Sequence, residues 1–385
     1  MANRKQSAKN VGGKIIPYGT QSIDASDVVA VSRTLKSGWL TQGPAVLLFE
    51  QLLQKFTGAR HTIAVSNGTV ALHIAYITAG ITKGDEVIIP ANTFAATANM
   101  VLALGGTPVF CDIRTDTYNI DEKKIERLIT NKTKAIVPVH YAGAPCEMDT
   151  IHKIAQKHNL IVIEDACHAL GAEYKGVKVG NLKSDMAVFS FHPVKILTTG
   201  EGGAVLTNNA EYARRLKRLR SHGIERTPDG FNHMIELGFN YRLTDIQSSL
   251  GASQMKRIKL FLKRRRSVAT SYAKLFKNKK IMLPSVAPGT LSAWHLYPIV
   301  LPKSVASKRG EIMRKLRERG IGTQVHYPPV YLHPYYKKLG YKEGLCPVAE
   351  DFGRRELSIP MFADLTHAEQ KKVVCELETI IQELR

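Results

Sequence analysis

Two stretches of sequence decide the fold, IVIEDACHALG at residues 161–171 and MAVFSFHPVK at residues 186–195. Each begins with an apolar run of strand length, and polar or charged residues follow where that run ends. Strands that are apolar on both faces are typical of parallel sheets covered by helices, in which ligands bind at the carboxyl ends of the strands. The sequence therefore predicts that Asp165 and Lys195 lie at one edge of a buried sheet.

The same alternation of apolar runs and helical periodicity extends through the first two thirds of the chain. It indicates an α/β fold with a large, mainly parallel sheet. Beyond residue 281, mixed strands and helices, including a strand over residues 322–327, indicate a smaller α+β domain. Within the larger part, strands are predicted over residues 61–65, 86–90, 107–112, 135–140, 161–165 and 186–191.

A chain of 385 residues is long enough to form two domains, each with its own core. We expect a disordered basic tail over residues 1–14, a large domain over residues 15–255 and a small C-terminal domain over residues 256–385. A single long helix over about residues 244–276 is expected to link the two domains.

The formal net charge is +21, and part of it comes from short basic clusters such as residues 263–266. These clusters lack the interleaved aromatic residues and the motifs of nucleic-acid-binding proteins, so a solvated basic surface that attracts anionic substrates is the favoured interpretation. The five cysteines are scattered and odd in number, which is typical of a reducing compartment. No apolar run is long enough to span a membrane. We therefore expect a cytoplasmic protein without nucleic-acid or membrane partners.

Four features of the larger part of the chain call for a common ligand. A small-residue turn at residues 67–69 follows a strand and begins a helix, which is how backbone amides come to face an anion. Asp165, Lys195 and the aromatic Phe94 also follow predicted strands and should open on the same edge. A pyridine ring that carries an aldehyde and a phosphate would satisfy all four features. The phosphate would bind the turn, the ring nitrogen Asp165, the ring face Phe94 and the aldehyde Lys195.

At this point the chain resembles the DegT/DnrJ/EryC1/StrS family of sugar aminotransferases, which have the type I fold of aspartate aminotransferase. The resemblance extends over most of the chain and implies an α/β fold, pyridoxal 5'-phosphate as cofactor and a homodimer with shared active sites. It is carried by LTQGP (40–44), SNGT (66–69), EDACHALG (164–171), SFHPVK (190–195), GEGG (200–203), RSHG (220–223) and GFNYRLTDIQ (238–247).

The resemblance implies a role for each matching residue. Lys195 is the catalytic lysine that bonds the cofactor, and Asp165 pairs with its ring nitrogen. The remaining cofactor contacts are assigned to Gly68, Thr69, Phe94, His168, Ser190 and Asn240, of which Asn240 reaches the phosphate in the neighbouring subunit.

Substrate contacts are assigned to Arg242, His326 and Tyr327. Each assignment has a structural alternative, in which Phe94 is a core residue, His168 is a buried structural histidine, and His326 and Tyr327 are packing residues of the small domain. A lysine at position 195 indicates transamination, because relatives with histidine there are dehydratases.

The expected reaction moves the amino group of L-glutamate to the 4-keto carbon of a nucleotide-linked 4-keto-6-deoxy sugar. Additional segments, among them HLYP (295–298) and QVHYPP (324–329), are similar to the branch of the family that serves pseudaminic acid-type biosynthesis, which favours a UDP-linked substrate. Three alternatives stay open. They are another nucleotide-sugar aminotransferase (dTDP-linked or 3-keto), a lyase on the same fold, and a non-catalytic regulator that binds nucleic acid.

Overall fold

The structure is a computed structural model, and it describes residues 15–228 and 230–384. The tail predicted over residues 1–14 lies outside the described residues. Helices and strands alternate through most of the chain, as the sequence predicts. The helices are α1 (Ala25–Leu35), α2 (Pro44–Thr57), α3 (Gly68–Thr78), α4 (Ala95–Ala103), α5 (Glu122–Ile125), α6 (Met148–His158), α7 (Ala210–Arg220), α8 (Asp245–Met255), α9 (Ile258–Leu275), α10 (Arg309–Glu318), α11 (Pro334–Lys338), α12 (Pro347–Arg355) and α13 (His367–Glu383).

The strands form one large sheet and three small ones. They are β1 (His61–Val65), β2 (Glu86–Pro90), β3 (Thr107–Cys111), β4 (Thr133–Ile136), β5 (Ile161–Asp165), β6 (Glu173–Tyr174), β7 (Val177–Lys178), β8 (Met186–Ser190), β9 (Gly203–Thr207), β10 (Ile224–Arg226), β11 (Asn232–Met234), β12 (Thr290–Leu291), β13 (Tyr297–Val300) and β14 (Glu356–Ile359).

The central sheet has seven strands in the order β1-β9-β8-β5-β4-β2-β3. Only β9 is antiparallel to its neighbours, and the other adjacent pairs run parallel. Alternate residues of β1 enter different apolar clusters, with Ile63 and Val65 in one and Ala64 in the other. The sheet is thus buried on both faces, and the predicted α/β fold with a mainly parallel sheet is confirmed.

A third apolar cluster lies in the C-terminal part of the chain. It combines one face of α9 with α10, α13 and the antiparallel pair of β13 and β14. Ile16 also belongs to this cluster and forms a bridge with Ile321, so the start of the described chain packs with its end. The domain boundaries given above remain a prediction.

The prediction of one long helix over residues 244–276 is wrong, because this segment forms two helices. α8 ends at Met255 and α9 begins at Ile258, with Arg257 between them at φ −108° and ψ 3°. The Arg257 guanidinium bonds the buried carboxylate of Asp27 and lies 2.8 Å from that of Asp24. The break therefore serves a contact with α1. Because residues 255–258, where the break lies, include neither glycine nor proline, periodicity alone could not reveal it.

Two predicted strands are also shorter than expected. The strand predicted over residues 135–140 is β4, which ends at Ile136, because Pro138 has no N–H and interrupts the ladder. Beyond it, a single bridge joins Val139 to Asp165. The strand predicted over residues 322–327 is reduced to a single bridge between Gln324 and Ser358. None of the helices in the described part of the chain combines the length and the apolar character that a membrane span requires.

Glu356 at the start of β14 gives the fold a pH dependence that can be measured. Its side chain is fully buried and accepts hydrogen bonds from the His326 N–H (2.7 Å) and the Ser358 hydroxyl (2.6 Å). Burial raises its pKa from 4.5 to about 8. The folded protein therefore holds a proton that the unfolded chain releases above pH 4.5. It follows that the free energy of unfolding falls as the pH rises from 4.5 to about 8.

We expect Glu356→Gln to flatten this pH dependence, because glutamine carries no charge at any pH. The contribution that disappears is at most about 1.4 kcal/mol per pH unit. Urea unfolding of both proteins at a series of pH values measures it. Glu376→Gln, at a half-exposed carboxylate paired with Arg319 at 2.6 Å, is the matched control. An unchanged slope in Glu356→Gln would contradict the raised pKa.

Candidate active site

The carboxyl ends of β1, β5 and β8 meet at one edge of the central sheet. β1 leads into the turn at Asn67, β5 ends at Asp165, and β8 ends at Ser190, five residues before Lys195. Because β9 runs the opposite way, its first residue, Gly203, lies between β1 and β8, opposite Val65 and Ser190 in register. The structure thus brings the predicted strand-end residues to one place.

The turn at residues 67–69 packs closely on its neighbours. The Asn67 side chain caps α3 by accepting from Val70 N–H at 3.0 Å, and Gly68 and Thr69 form the first turn of that helix. The N–H groups of a first helical turn have no partner within the helix, so they are available to an anion. A Cβ on Gly68 would lie 3.0 Å from Ser190 Cβ, and one on Gly203 would lie 2.5 Å from the Asn67 carbonyl. Glycine at both positions lets the helix start lie against Ser190.

Asp165 is buried at 5% exposure and is oriented by neutral donors alone. Thr97 Oγ donates to Oδ2 at 2.7 Å, and Cys167 N–H donates to Oδ1 at 3.2 Å. Within residues 15–228 and 230–384, no basic side chain forms an ion pair with this carboxylate. A buried carboxylate without a cation is costly, so a cationic group of a ligand would complete this part of the site.

Lys195 is half-buried in the turn that follows β8. Its backbone N–H bonds the His192 carbonyl, and its Nζ lies 3.5 Å from Nε2 of His295. Removal from water lowers the pKa of the Lys195 ammonium, while Cys167 and Asp165 act in the opposite direction. The lysine therefore loses its proton more readily than an exposed lysine, which suits both a nucleophile and a base.

An aromatic and imidazole wall stands beside the lysine. His168 is 5% exposed, its Nε2 lies 3.2 Å from the Tyr327 hydroxyl, and its ring centroid is 4.5 Å from that of His295. Burial first, and then the nearby Lys195, hold the pKa values of His168 and His295 well below the usual range. The two rings are therefore neutral at physiological pH and can accept hydrogen bonds.

Phe94 lies at the mouth of the site and not in the core. It occupies the residue before α4, and 59% of it is exposed. Its ring centroid is 6.1 Å from that of Tyr327. The alternative of a core phenylalanine is thereby wrong, and a ligand ring is free to stack on it.

His326 is placed deeper than its proposed substrate role suggests. It is 8% exposed, its Nδ1 bonds the Ser358 hydroxyl at 2.8 Å, and burial lowers its pKa to about 3. The Tyr141 hydroxyl donates to its carbonyl at 2.5 Å. These contacts brace the Tyr327 segment, so of the two residues it is Tyr327 that faces His168 and Phe94. Substrate contact remains a prediction for both residues.

Asn240 and Arg242 lie on the strand-like segment after the β10–β11 hairpin. Asn240 forms a bridge with Ser221 and is exposed, and Arg242 forms a bridge with Val65 at the end of β1. Among the described residues, no contact joins either side chain to Lys195 or Asp165. Their assigned roles toward a second subunit and the substrate remain predictions.

The comparison with protein families is decisive for identity. The model described as the DegT/DnrJ/EryC1/StrS aminotransferase family matches residues 21–378. The chain belongs to the DegT/DnrJ/EryC1/StrS aminotransferase family.

The similarity to known proteins extends over nearly the whole chain. The UDP-4-amino-4,6-dideoxy-N-acetyl-beta-L-altrosamine transaminase of Campylobacter jejuni strain 81-176 is 42% identical, over 96% of this chain and 99% of its own. The solved structure of Helicobacter pylori PseC, an aminotransferase involved in the biosynthesis of pseudoaminic acid, is 36% identical with a TM-score of 0.91. It covers 96% of this chain and 100% of its own. The sugar aminotransferase Spr1654 of Streptococcus pneumoniae, solved in its PLP form, is 30% identical with a TM-score of 0.92. It also covers 96% and 100%.

This aminotransferase therefore uses pyridoxal 5'-phosphate, and its residues fit that group. The buried carboxylate of Asp165 has no cation of its own among the described residues, which suits a protonated pyridine nitrogen. The first turn of α3 beside Ser190 offers N–H groups and a hydroxyl to a phosphate. Phe94 presents an open ring face, and Lys195 supplies an amine of lowered pKa.

Two residues whose side chains contact Asp165 or Lys195 were not among those predicted. Thr97 orients Asp165 from α4, and His295 contacts Lys195 from the segment before β13. Neither follows a strand of the central sheet, so strand-end reasoning could not find them. The only signal in the sequence is the HLYP segment, which contains His295 and indicates the family but not this contact.

We expect Lys195→Ala to abolish turnover, because the aldehyde of the cofactor then has no amine to bond and the base for proton transfer is missing. The visible absorbance of the purified enzyme should disappear with it. Borohydride reduction of the unaltered enzyme, followed by peptide mass mapping, should place the cofactor mass on Lys195. Lys217→Ala, at an exposed lysine of α7, serves as control and should keep colour and activity. Colour that persists in Lys195→Ala would assign the bond to another lysine.

We expect Gly203→Ala to weaken cofactor binding about tenfold, since the new methyl group must push the Asn67 backbone away from Ser190. Overpacking of this kind also destabilises a protein by about 1–3 kcal/mol. Titration of the apoenzyme with pyridoxal 5'-phosphate and thermal unfolding measure the two effects. Gly310→Ala, where a Cβ meets nothing within 4 Å, is the control and should change neither by more than a small amount. Equal cofactor affinity in the two variants would refute the close-approach argument.

Proposed function

We propose that this enzyme transfers the amino group of L-glutamate to the 4-keto carbon of a UDP-linked 4-keto-6-deoxy sugar. The product would be an amino sugar of the pseudaminic acid type. The observation that carries the proposal is the placement of Lys195, of lowered pKa, within one buried site with Asp165 and the α3 helix start. The 42% identity to a UDP-amino-sugar transaminase over 96% of the chain supports the substrate class.

Each residue of the site then has a physical task. Pyridoxal 5'-phosphate supplies an aldehyde that takes up the amino group and a ring that accepts electrons from the carbon that loses its proton. Asp165, oriented by Thr97, keeps the proton on the ring nitrogen. Lys195, once its bond to the cofactor is broken, takes a proton at its Nζ from the substrate carbon that bears the amino group. It then delivers this proton to the carbon of the former aldehyde.

The wall of neutral side chains suits a site that two substrates must share in turn. His168 and Tyr327 are uncharged at neutral pH and offer donors and acceptors without adding a fixed charge beside Lys195. The anionic parts of glutamate and of a nucleotide diphosphate are attracted instead by the basic surface, since the net charge is +21. In this proposal Arg242 faces the diphosphate, and His326 braces Tyr327 against the sugar.

The active form in this proposal is a homodimer in which Asn240 of each chain reaches the cofactor phosphate of the other. Large apolar side chains are exposed on α1, between α1 and α2, on α2, and at the end of β11 and just after it, close in sequence to Asn240. Exposed apolar patches of this kind mark protein interfaces. They include Val28 (62%), Val29 (54%), Trp39 (57%), Leu47 (57%), Met234 (70%) and Leu237 (75%).

We place the enzyme in the cytoplasm. All five cysteines are free, which is typical of proteins in a reducing compartment. Nucleotide sugars and glutamate would both be at hand there.

The purified enzyme, incubated with glutamate and a panel of UDP- and dTDP-linked 4-keto and 3-keto sugars, tests the proposal. We expect one amino sugar to form from a UDP-linked 4-keto-6-deoxy substrate, with one 2-oxoglutarate released per amine. Mass spectrometry of the nucleotide sugars reads the product. Amination of only dTDP-linked or 3-keto sugars would overturn the substrate class. Release of 2-oxoglutarate in large excess over active sites, without an aminated sugar, would overturn the whole assignment.

A further inference from the structure

The backbone around His295 is fixed by hydrogen bonds to the loop at residues 142–143. Its backbone N–H donates to the Ala142 carbonyl at 2.9 Å, and the N–H of Ala293 donates to that of Gly143 at 3.0 Å. Trp294, between them, has φ 52°, a conformation that is unusual for a bulky residue. Backbone strain of this kind persists only where the surroundings enforce it and is frequent at functional sites.

A buried arginine completes the clamp. Arg265 on α9 is 2% exposed, and its Nη1 donates to the carbonyls of Trp294 (3.1 Å), His295 (3.2 Å) and Met361 (3.2 Å). Among the described residues no carboxylate forms an ion pair with it, and its Nε has no acceptor. Burying a cation costs free energy of solvation, and contacts with carbonyl groups alone recover only part of it. We therefore attribute to Arg265 the effect of fixing the His295 backbone.

The His295 ring makes a single polar contact among the described residues, in addition to the hydrogen bonds of the His295 backbone. Nε2 lies 3.5 Å from Lys195 Nζ, whereas Nδ1 is buried and has no hydrogen-bond partner among the described residues. An unpaired buried nitrogen is unfavourable for folding, and an apolar ring of similar size would avoid it. The imidazole is therefore retained for the contact with Lys195.

We propose that His295 is a positioning residue that accepts a hydrogen bond from Lys195 whenever this lysine is not bonded to the cofactor. Nε2 accepts from the ammonium at Nζ, and the ring proton stays on Nδ1. The contact holds the released amine at one place beside the substrate carbon while it carries the proton. This inference rests on the proposed role of Lys195 as the cofactor lysine.

The charges around the pair agree with this direction of the hydrogen bond. Burial, Lys195, His168, Arg265 and His326 all hold the pKa of His295 well below the usual range. Its ring is thus neutral and able to accept. Asp165 and Cys167 oppose the effect of burial on the Lys195 pKa. Because a neutral acceptor stabilises the ammonium form, loss of His295 should lower the Lys195 pKa further.

Two variants of His295 differ in a single respect. The amide of glutamine reaches the place of Nε2, whereas the shorter amide of asparagine occupies the place of Nδ1 and leaves Lys195 without an acceptor. We expect His295→Asn to lower the Lys195 pKa by about one unit, as for the loss of one charge-assisted hydrogen bond. His295→Gln should keep it near the original value.

The apoenzyme gives a readout that does not depend on catalysis. The rate at which an amine-specific acylating reagent modifies Lys195, followed by peptide mass spectrometry over a range of pH, yields the pKa of that lysine. At neutral pH His295→Asn should react faster than the unaltered apoenzyme, although its catalytic turnover is slower. Structural damage would not raise the acylation rate while it lowers the turnover. Nor would it explain why His295→Gln behaves like the unaltered protein.

The half-reaction of the holoenzyme with L-glutamate tests the consequence for proton transfer. We expect His295→Asn to slow the first turnover about tenfold, with a larger isotope effect for 2-deuterated glutamate and little change in KM. His295→Gln should restore most of the rate. An unchanged Lys195 pKa in His295→Asn, or equal behaviour of the two variants, would overturn the proposal. Colour that persists in Lys195→Ala would instead refute the role of Lys195 and leave the apoenzyme pairing to be judged by its own titration.

Discussion

The site depends on the separate burial of two opposite charges. Asp165 and Lys195 come from neighbouring strands, yet Asp165 is bonded by Thr97 and Cys167, and Lys195 is directed to His295. In a medium of low dielectric constant such charges attract each other strongly, so they would form an ion pair if other contacts did not hold them apart. Their separate contacts suit a ring that must meet a carboxylate at one end and an amine at the other. The surrounding neutral side chains protect this arrangement because they add no competing charge.

The part of the site that follows the sheet was predictable from the sequence. Asp165, Ser190 and the turn at Gly68 are reached by one rule, that parallel strands present their carboxyl ends at a common edge. Phe94 also came from that rule. The rule says nothing about Thr97, which lies inside a helix, or His295, which comes from a segment 100 residues after Lys195. Their contacts depend on how helices and loops pack on the sheet, and no local pattern encodes that.

The errors in the fold have a similar origin. Periodicity distinguishes a helix from a strand but not one helix from two, so the break at Arg257 appeared only with its partner Asp27 in place. Likewise, β9 over residues 203–207 is not among the predicted strands, and since an apolar strand has the same pattern in either direction, its antiparallel course could not be predicted. This detail decides the site, because only an antiparallel β9 begins at the functional edge and sets Gly203 beside Asn67.

The position of β9 also has a consequence for the order in which the protein folds. In the described part of the chain, the only strand that pairs with β1 is β9, whose residues 203–207 are made long after residues 61–65. The single bridge from Val65 leads to Arg242, which is made later still. During synthesis β1 must therefore wait, without a strand partner, until β5 and β8 exist to receive β9. Contacts so distant along the chain form slowly, because a long loop must close first. The turn at residues 67–69, which follows β1, can therefore reach its final place beside Gly203 and Ser190 only after β9 has been made.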